Sequence, residues 1–260
     1  MIITEFIQRF EEYFPTHLAY KWDNVGLQLG DESSKITNVL LSLDLTTDVI
    51  DEAIKMNSNF IVVHHPMIFS PVKSITTGTY LGNMLIKAIK NNINIYVAHT
   101  NFDISNYGMN KILADMLELQ DQHIIEMETL EEGLGRYGVL KEPVSLMKFI
   151  RTVKSAFKIE SAKLIGNVKS DKTISSVAIC GGSGSSLLTN DTLEICDIYI
   201  SGDITYHHAL DAINKGLIVL DVGHNVEKNS LNKLCNLITD FSKDFGVTIS
   251  KVKTNPYKNV

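Results

Sequence analysis

The chain has 260 residues, of which 44% are apolar and 21% charged, as expected for a globular protein with one large domain or two α/β halves. Its net charge of -6 and the lack of a basic run among its 24 Lys and Arg residues exclude general nucleic-acid binding and leave only a local patch open. An amphipathic N-terminus in place of a signal peptide, and no apolar run of bilayer length, predict a cytoplasmic protein without membrane segments. Three scattered cysteines, Cys180, Cys196 and Cys235, are expected to be reduced and mostly buried.

The first part of the chain alternates apolar strands with amphipathic helices. Strands are predicted at residues 39–43, 60–63 and 93–98. The helix after the first of these strands should begin behind Thr46, which is a good N-cap residue. Its inward side chains are expected to be Val49, Ile50, Ala53 and Ile54. This order is typical of a parallel sheet with right-handed crossovers, in which functional sites lie beyond the carboxyl ends of the strands.

Three apolar strands of the chain each end in histidine, and two of them add a carboxylate a few residues later. The strands cover residues 60–63, 93–98 and 217–222, and the polar residues that follow them are His64, His65, His99, Asp103, His224 and Glu227. Imidazole and carboxylate groups gathered at the ends of strands predict a site for two metal ions. His99 either binds metal itself or holds Asp103 in place.

Each candidate ligand also has a structural alternative. His64 and His65 would then be hydrogen-bonded histidines at a strand end. Asp103 would cap a helix that starts near Ser105 or Asn106, which is a common task for aspartate. As a ligand, Asp103 suits a bridging position between two ions because a carboxylate has two oxygens.

Whether the side chains of His224 and Glu227 lie on the same face depends on where the last helix begins. If that helix starts at Asn225, the two side chains lie on one face, as in other dinuclear carboxylate sites. The alternative for Glu227 is a surface ion pair with Lys228 or Lys233.

The second part of the chain is predicted to begin after a polar stretch at residues 126–132. This boundary divides the chain into residues 1–128 and residues 129–260, with the last helix and strand free to return to the first half. The second half begins with residues 137–140, and further strands are expected at residues 162–165, 177–180, 197–200 and 217–222. The order of strand, turn, helix, strand and histidine at residues 60–103 recurs at residues 197–227, which suggests an internal pseudo-symmetry.

Two other features of the second part bear on function. His207 and His208 lie on a predicted helix just after Asp203 and are candidates for a general acid or base. Adjacent helical residues diverge by about a third of a turn, so one of the two histidines can face a site while the other packs. The glycine-rich loop at residues 181–186 could cradle an anion, but it is not a Walker A motif, and a simple tight turn is the alternative.

Five motifs together resemble one known family. They are Trp22–Leu27, His64–Pro66, His99–Asp103, Ser201–Asp203 with His207 and His208, and Asp221–Lys228. In this order they resemble the NIF-three-like dinuclear metal centre family, whose members are labelled GTP cyclohydrolase 1 type 2 homologs. The similarity covers most of the chain, and the motifs are specific only in combination.

The resemblance implies an α/β fold of two interlocked halves with mostly parallel sheets and a dinuclear metal site at the strand ends between them. By matching motifs, the implied ligands are His64, His65, Asp103, His224 and Glu227. The resemblance also implies a toroidal homohexamer. A domain inserted between the halves in some relatives is not expected here because the junction near residue 130 is short. Asp203 stands where many relatives have Glu.

Two functions follow as hypotheses. The first is a metal-dependent hydrolase acting on a nucleotide or phosphoester, with GTP ring opening suggested by the family label; the ions would polarise substrate oxygens or activate water. The second is a non-catalytic metal-handling or partner-binding ring assembly. Imidazole and carboxylate ligands without thiolate suit Zn, Fe, Mn or Co alike, so the identity of the metal is not predicted.

Overall fold

The structure is a computed structural model that describes residues 1–168, 171–241 and 243–258. The α-helices are α1 (Ile3–Glu11), α2 (Thr47–Lys55), α3 (Tyr80–Lys90), α4 (Thr100–Ile104), α5 (Met109–Met116), α6 (Leu146–Phe157), α7 (Asn190–Ile195), α8 (Tyr206–Lys215) and α9 (Leu231–Thr239). The strands are β1 (Gly26–Leu29), β2 (Asn38–Ser42), β3 (Phe60–Val63), β4 (Asn94–Val97), β5 (Gln120–Met127), β6 (Gly133–Ser145), β7 (Lys163–Ile165), β8 (Thr173–Ile179), β9 (Ile198–Ser201), β10 (Val219–Asp221) and β11 (Gly246–Ile249). Short 3₁₀ turns cover Thr16–Leu18, Ser185–Leu187 and His224–Ser230.

Met1–Phe102 and Leu231–Lys258 form one compact unit around a five-stranded sheet. The strand order is β1-β4-β3-β2-β11, and every neighbouring pair is parallel except β1 with β4. β11 pairs with β2 from Gly246 opposite Asn38 to Ile249 opposite Leu41, so the last strand lies in the same sheet as the first strands. Strands that alternate with helices around a parallel sheet confirm the predicted α/β class.

The local sequence explains the elements of this unit. All four residues of β3 are apolar and buried, as expected for a central parallel strand with both faces covered. Thr46 accepts a hydrogen bond from the Val49 amide, which confirms the predicted start of α2. Three of the four side chains predicted to face inward from α2 are buried, but Ile54 is 38% exposed, so the prediction is wrong there. Ile54 lies about 100° further round the helix than Ala53, at the edge of the buried stripe.

Asp103–Ser230 form a second compact unit around a mixed six-stranded sheet. The strand order is β5-β6-β8-β9-β10-β7. β8, β9 and β10 are parallel to one another, whereas β5, β6 and β7 pair antiparallel with their neighbours. The polar stretch at residues 126–132 covers the end of β5 and the connection to β6. The predicted domain division at residues 128 and 129 stays a prediction, because units grouped by contacts need not coincide with functional domains.

Each unit has a hydrophobic core of its own. The core of the first unit forms around β2, β3 and β4, and that of the second unit around β8, β9 and β10. The three cysteines are free thiols, but only Cys180 is buried, while Cys196 and Cys235 are half-buried. Within the described residues, no helix combines the length and apolar composition needed to cross a membrane.

Candidate metal centre

The carboxyl ends of β3 and β4 carry three histidines in the first unit. His64 and His65 follow β3 directly, and His99 lies two residues after the end of β4. The two strands are parallel neighbours, so their ends lie side by side. The ring centroid of His64 lies 4.8 Å from that of His65 and 5.0 Å from that of His99. One nitrogen from each of the three rings lies within 4.8 Å of the other two, so the structure brings these imidazoles together.

Each of these three imidazoles is held through its Nδ1 atom. The acceptors are the Ala98 carbonyl for His64, the Asp44 carboxylate for His65 and the Asp23 carboxylate for His99, at 2.8, 2.7 and 2.9 Å. Carbonyl and carboxylate oxygens accept hydrogen bonds, so Nδ1 is the donor in each of these pairs. This arrangement leaves Nε2 as the nitrogen through which each ring could bind a metal ion.

Asp23 holds both His99 and the start of α4. Its Oδ2 accepts hydrogen bonds from the Thr100 amide at 3.1 Å and from the Thr100 hydroxyl at 2.6 Å. Burial by itself raises the pKa of Asp23, but the hydrogen bonds from His99 and Thr100 outweigh it and lower the pKa to about 2. Asp23 is therefore an ionised acceptor that fixes the orientation of the His99 ring.

In the second unit, a histidine and a carboxylate meet in the 3₁₀ turn after β10. His224 Nε2 lies 3.2 Å from Glu227 Oε2, and His224 Nδ1 lies 2.7 Å from Asp203 Oδ2. A 3₁₀ turn has about three residues per turn, so positions i and i+3 face the same side. The shared face is present although α9 does not start at Asn225, because the 3₁₀ turn at His224–Ser230 supplies the spacing and α9 starts only after it. Glu227 is 4% exposed, so the alternative of a surface carboxylate is wrong as well.

The glycine-rich loop after β8 packs against this pair. Gly182 has a φ of +60°, and a Cβ atom there would lie 2.2 Å from Glu227 Oε1 and 3.5 Å from His224 Nε2. Only glycine allows the loop to approach the carboxylate so closely. The Gly202 amide donates to the Gly182 carbonyl at 2.8 Å, which ties the loop to the turn that carries Asp203. Close approach to the candidate ligands is thus a reason for glycine that the sequence did not reveal.

Asp103 lies inside α4, which ends one residue later at Ile104. The next helix, α5, has Gly108 at its N-cap position and no side-chain cap. The alternative role of Asp103 as the cap of a helix near Ser105 is therefore wrong.

A buried asparagine connects Asp103 to the glycine-rich loop. Asn110 donates from Nδ2 to the Asp103 carbonyl at 3.0 Å, and its Oδ1 accepts from the Gly181 amide at 2.8 Å. Burial raises the pKa of the Cys180 thiol in the same place, and the negative charges of Asp103 and Glu227 raise it further. Both carboxylates thus lie close enough to the Cys180 thiol, within the second unit, to raise its pKa.

The two candidate acid-base histidines lie in the first turn of α8. His207 is exposed and packs edge-to-face against Tyr206, with ring centroids 5.6 Å apart. His208 is half-buried, and its Nδ1 lies 3.1 Å from the hydroxyl of Thr205, which caps the helix. In the part of the chain that the structure describes, neither histidine belongs to a cluster of potential metal ligands. Their acid-base role stays a prediction.

Sequence reasoning missed the groups that hold the imidazoles. Asp44 had a usable signal, because it follows β2, the parallel neighbour of β3, and so lies at the same sheet edge as His65. Asp23 precedes β1 in a polar segment, and only the tertiary fold brings it to His99. Asp203 takes the corresponding place beside His224.

The donor groups fit the divalent ions that the sequence predicted. All four strand-end imidazoles bond through Nδ1 to an oxygen, and carboxylates accompany them. Neutral imidazole and carboxylate together suit divalent ions of the first transition row and zinc.

Comparisons with known proteins agree over the whole chain. The sequence profile of the family described as Duf34/NIF3 (NGG1p interacting factor 3) matches residues 1–256. A Streptococcus pneumoniae protein named GTP cyclohydrolase 1 type 2 homolog is 34% identical over 266 aligned residues, covering 100% of both chains. The crystal structure of a Bacillus cereus protein related to NIF3 superposes with a TM-score of 0.92 at 26% identity, covering 100% of this chain and 99% of that chain. A Staphylococcus aureus hypothetical protein gives a TM-score of 0.92 at 29% identity with the same coverage. The chain therefore belongs to the Duf34/NIF3 family.

Proposed function

We propose that this chain binds two divalent metal ions and acts as a metal-dependent hydrolase on a nucleotide or phosphoester. The proposed ligands are His64, His65, Asp103, His224 and Glu227. The observation that carries the proposal is the shared contact of the strand-end histidines, each of which has Nδ1 within hydrogen-bond distance of an oxygen. Such bonds are typical of metal-binding imidazoles. The name of the Streptococcus pneumoniae relative supports a nucleotide as one substrate candidate.

The side chains have distinct tasks in this proposal. Divalent ions of this kind polarise substrate oxygens and lower the pKa of water. Asp44 and Asp203 orient His65 and His224 through Nδ1 and make their Nε2 atoms more basic. Asp103 would help to hold the ions through its carboxylate, which has two oxygens.

Proton transfer is assigned to the first turn of α8. His207 is the better candidate for a proton donor or acceptor, because it is exposed and the Nδ1 atom of His208 already contacts Thr205. General acid-base help is worth about 10²–10⁴-fold in rate. Substitution of His207 should therefore slow turnover and leave the metal content unchanged.

An activity screen tests the catalytic part of the proposal. The protein is loaded in turn with Zn, Fe, Mn and Co and assayed on nucleotides and phosphoesters, with His65→Ala and Asp103→Asn as variants. Metal-dependent turnover that both variants abolish is the expected result. His17→Ala removes an exposed histidine that is not among the proposed ligands and should keep full activity. If no substrate reacts with any of the four metals, the non-catalytic metal-handling function replaces this proposal.

Assembly and location belong to the same proposal. Family membership supports a homo-oligomer, and we take the hexamer as the expected form in the cytoplasm. Light scattering on the purified protein gives the mass directly. A monomeric mass at micromolar concentration would contradict this expectation.

A further inference from the structure

The first unit carries an exposed aromatic cluster, formed by Tyr20, Trp22 and Phe69, which we name the aromatic platform. Trp22 is 58% exposed and Phe69 is 56% exposed. The Trp22 ring stacks on Tyr20 with centroids 5.6 Å apart and planes inclined by 22°, and its centroid lies 5.9 Å from that of Phe69. Large aromatic rings are usually buried because their burial stabilises the fold, so two exposed rings in contact indicate a binding surface.

The aromatic platform adjoins the strand-end histidines of the same unit. The ring centroid of Trp22 lies 6.2 Å from that of His99, with the rings inclined at 73°. His99 in turn lies 5.0 Å from His64 and 5.7 Å from His65. Asp23, the next residue after Trp22, accepts a hydrogen bond from His99 and so fixes the backbone beside the platform. A planar group stacked on Trp22 would lie next to the proposed metal ligands.

Polar contacts hold the platform in place before any ligand binds. The Gln28 side chain donates from Nε2 to the Ile68 carbonyl at 3.2 Å and accepts from the Ile68 amide at 2.9 Å. Asn24 donates from Nδ2 to the same carbonyl. These bonds fix the residue that immediately precedes Phe69. A surface that is ordered in advance loses little conformational entropy when a ligand binds.

We propose that the aromatic platform binds the heteroaromatic base of the substrate by stacking. Aromatic side chains bind nucleobases of every kind because each base presents a π-face. The inference rests on the proposed function and narrows it, since it selects base-bearing phosphates over phosphoesters of plain sugars or alcohols. The base occupies the platform, and the phosphate lies on the side of His99.

The chain itself supplies the reporter for a test. Trp22 is its single tryptophan, so tryptophan fluorescence reports on the platform alone. Guanosine 5′-monophosphate and ribose 5-phosphate are titrated into the metal-loaded protein; both carry the phosphate, but only the first carries a base. The expected result is saturable quenching by the nucleotide, no quenching by ribose 5-phosphate, and a Kd for the nucleotide that is lower by roughly five-fold or more. Equal affinity without quenching overturns the proposal.

Variants test the individual rings. Phe69→Ala keeps the fluorophore, and we expect it to raise the Kd for the nucleotide roughly 5- to 100-fold with unchanged metal content. Trp22→Leu, followed by equilibrium dialysis, should weaken binding similarly, and Trp22→Phe should restore much of it. Tyr257→Ala removes an exposed aromatic ring near the end of the described chain and should bind like the unsubstituted protein. Wild-type affinity in both Phe69→Ala and Trp22→Leu would overturn the proposal.

Failure of this inference and failure of the proposed function give different results. If nothing is hydrolysed but the nucleotide alone quenches Trp22, the platform is supported and the hydrolase is not. If base-free phosphates are bound and hydrolysed as well as nucleotides, the hydrolase is supported and the platform is overturned. If Trp22 is shielded from both acrylamide and the nucleotide, a second copy of the chain covers the platform, and the inference is overturned.

Discussion

At the residue scale, the strand-end histidines share one arrangement in which Nδ1 bonds to a fixed oxygen. Three of the four use a carboxylate; the pairs are His65 with Asp44, His99 with Asp23 and His224 with Asp203. His64 uses the Ala98 carbonyl instead. A negative charge behind an imidazole raises its basicity, so the carboxylates should contribute to metal affinity without touching the metal.

Asp44→Asn tests this contribution, because it removes the charge behind His65 and keeps the size of the side chain. We expect the affinity for Zn²⁺ to fall about 10- to 100-fold, measured by competition with a chelating dye. Asp48→Asn is the matched control, since Asp48 is an exposed aspartate four residues further on. An unchanged affinity in Asp44→Asn, or an equal loss in both variants, would argue against the role of Asp44.

The candidate ligands could be predicted from the sequence, and Asp44 beside His65 had a usable signal, whereas the partner of His99 could not be predicted. His64 and His65 end an apolar run, and the parallel pattern fixes which edge of the sheet such a residue reaches. The bond between His99 and Asp23 joins residues 76 positions apart, and no local pattern encodes it. The close approach of Gly182 to Glu227 is equally a product of tertiary structure.

At the scale of elements, strongly apolar strands and capped helices could be predicted from the sequence, whereas strands that mix polar and apolar residues could not. β3 is entirely apolar, and Thr46 has the side chain that an N-cap needs. β5 was missed because polar residues such as Gln120 and Asp121 dominate it, and its partner β6 supplies the pairing. The sequence does not distinguish the 3₁₀ turn at His224 from the start of an α-helix, because both bring positions i and i+3 to the same side.

The carboxylate of Asp197, just before β9, binds backbone amides of β8. We therefore expect the stability of the fold to depend on pH. Asp197 Oδ2 accepts from the amides of Ser175 and Ser176 at 2.8 and 3.1 Å, and Oδ1 accepts from Lys172 at 2.9 Å. Burial raises the pKa of Asp197, but these hydrogen bonds outweigh it, so the pKa lies below its usual value of 3.8. The stabilisation is therefore complete above about pH 4 and is lost as the pH falls through the lowered pKa.

Asp197→Asn should lower the free energy of unfolding by about 1 kcal/mol at pH 7, a modest value because the group is partly exposed. The difference in the free energy of unfolding between this variant and the unsubstituted protein should shrink as the pH falls below 4. Urea unfolding of both proteins between pH 7 and pH 3 measures this difference. Asp211→Asn is the control, because Asp211 is exposed. A difference that stays constant or grows toward low pH would contradict the assignment.

At the scale of the whole molecule, each unit has its own sheet and its own hydrophobic core. A chain of 260 residues buries enough apolar surface to fold without metal ions, unlike small zinc domains. Removal of metal with a chelator should therefore leave the far-ultraviolet circular dichroism unchanged. Loss of most of the helical signal would mean that metal binding and folding are coupled in this protein.

His64, His65, Asp103, His224 and Glu227 are proposed to bind two ions, and the number of metal ions per chain decides whether they do. Mass spectrometry gives this number after saturation with Zn²⁺ or Mn²⁺ and removal of free metal. We predict two ions for the unsubstituted protein and for His17→Ala, and at most one for His64→Ala and for Glu227→Ala. One ion or none in the saturated unsubstituted protein, or two ions in both ligand variants, would show that these five residues do not hold a two-metal site.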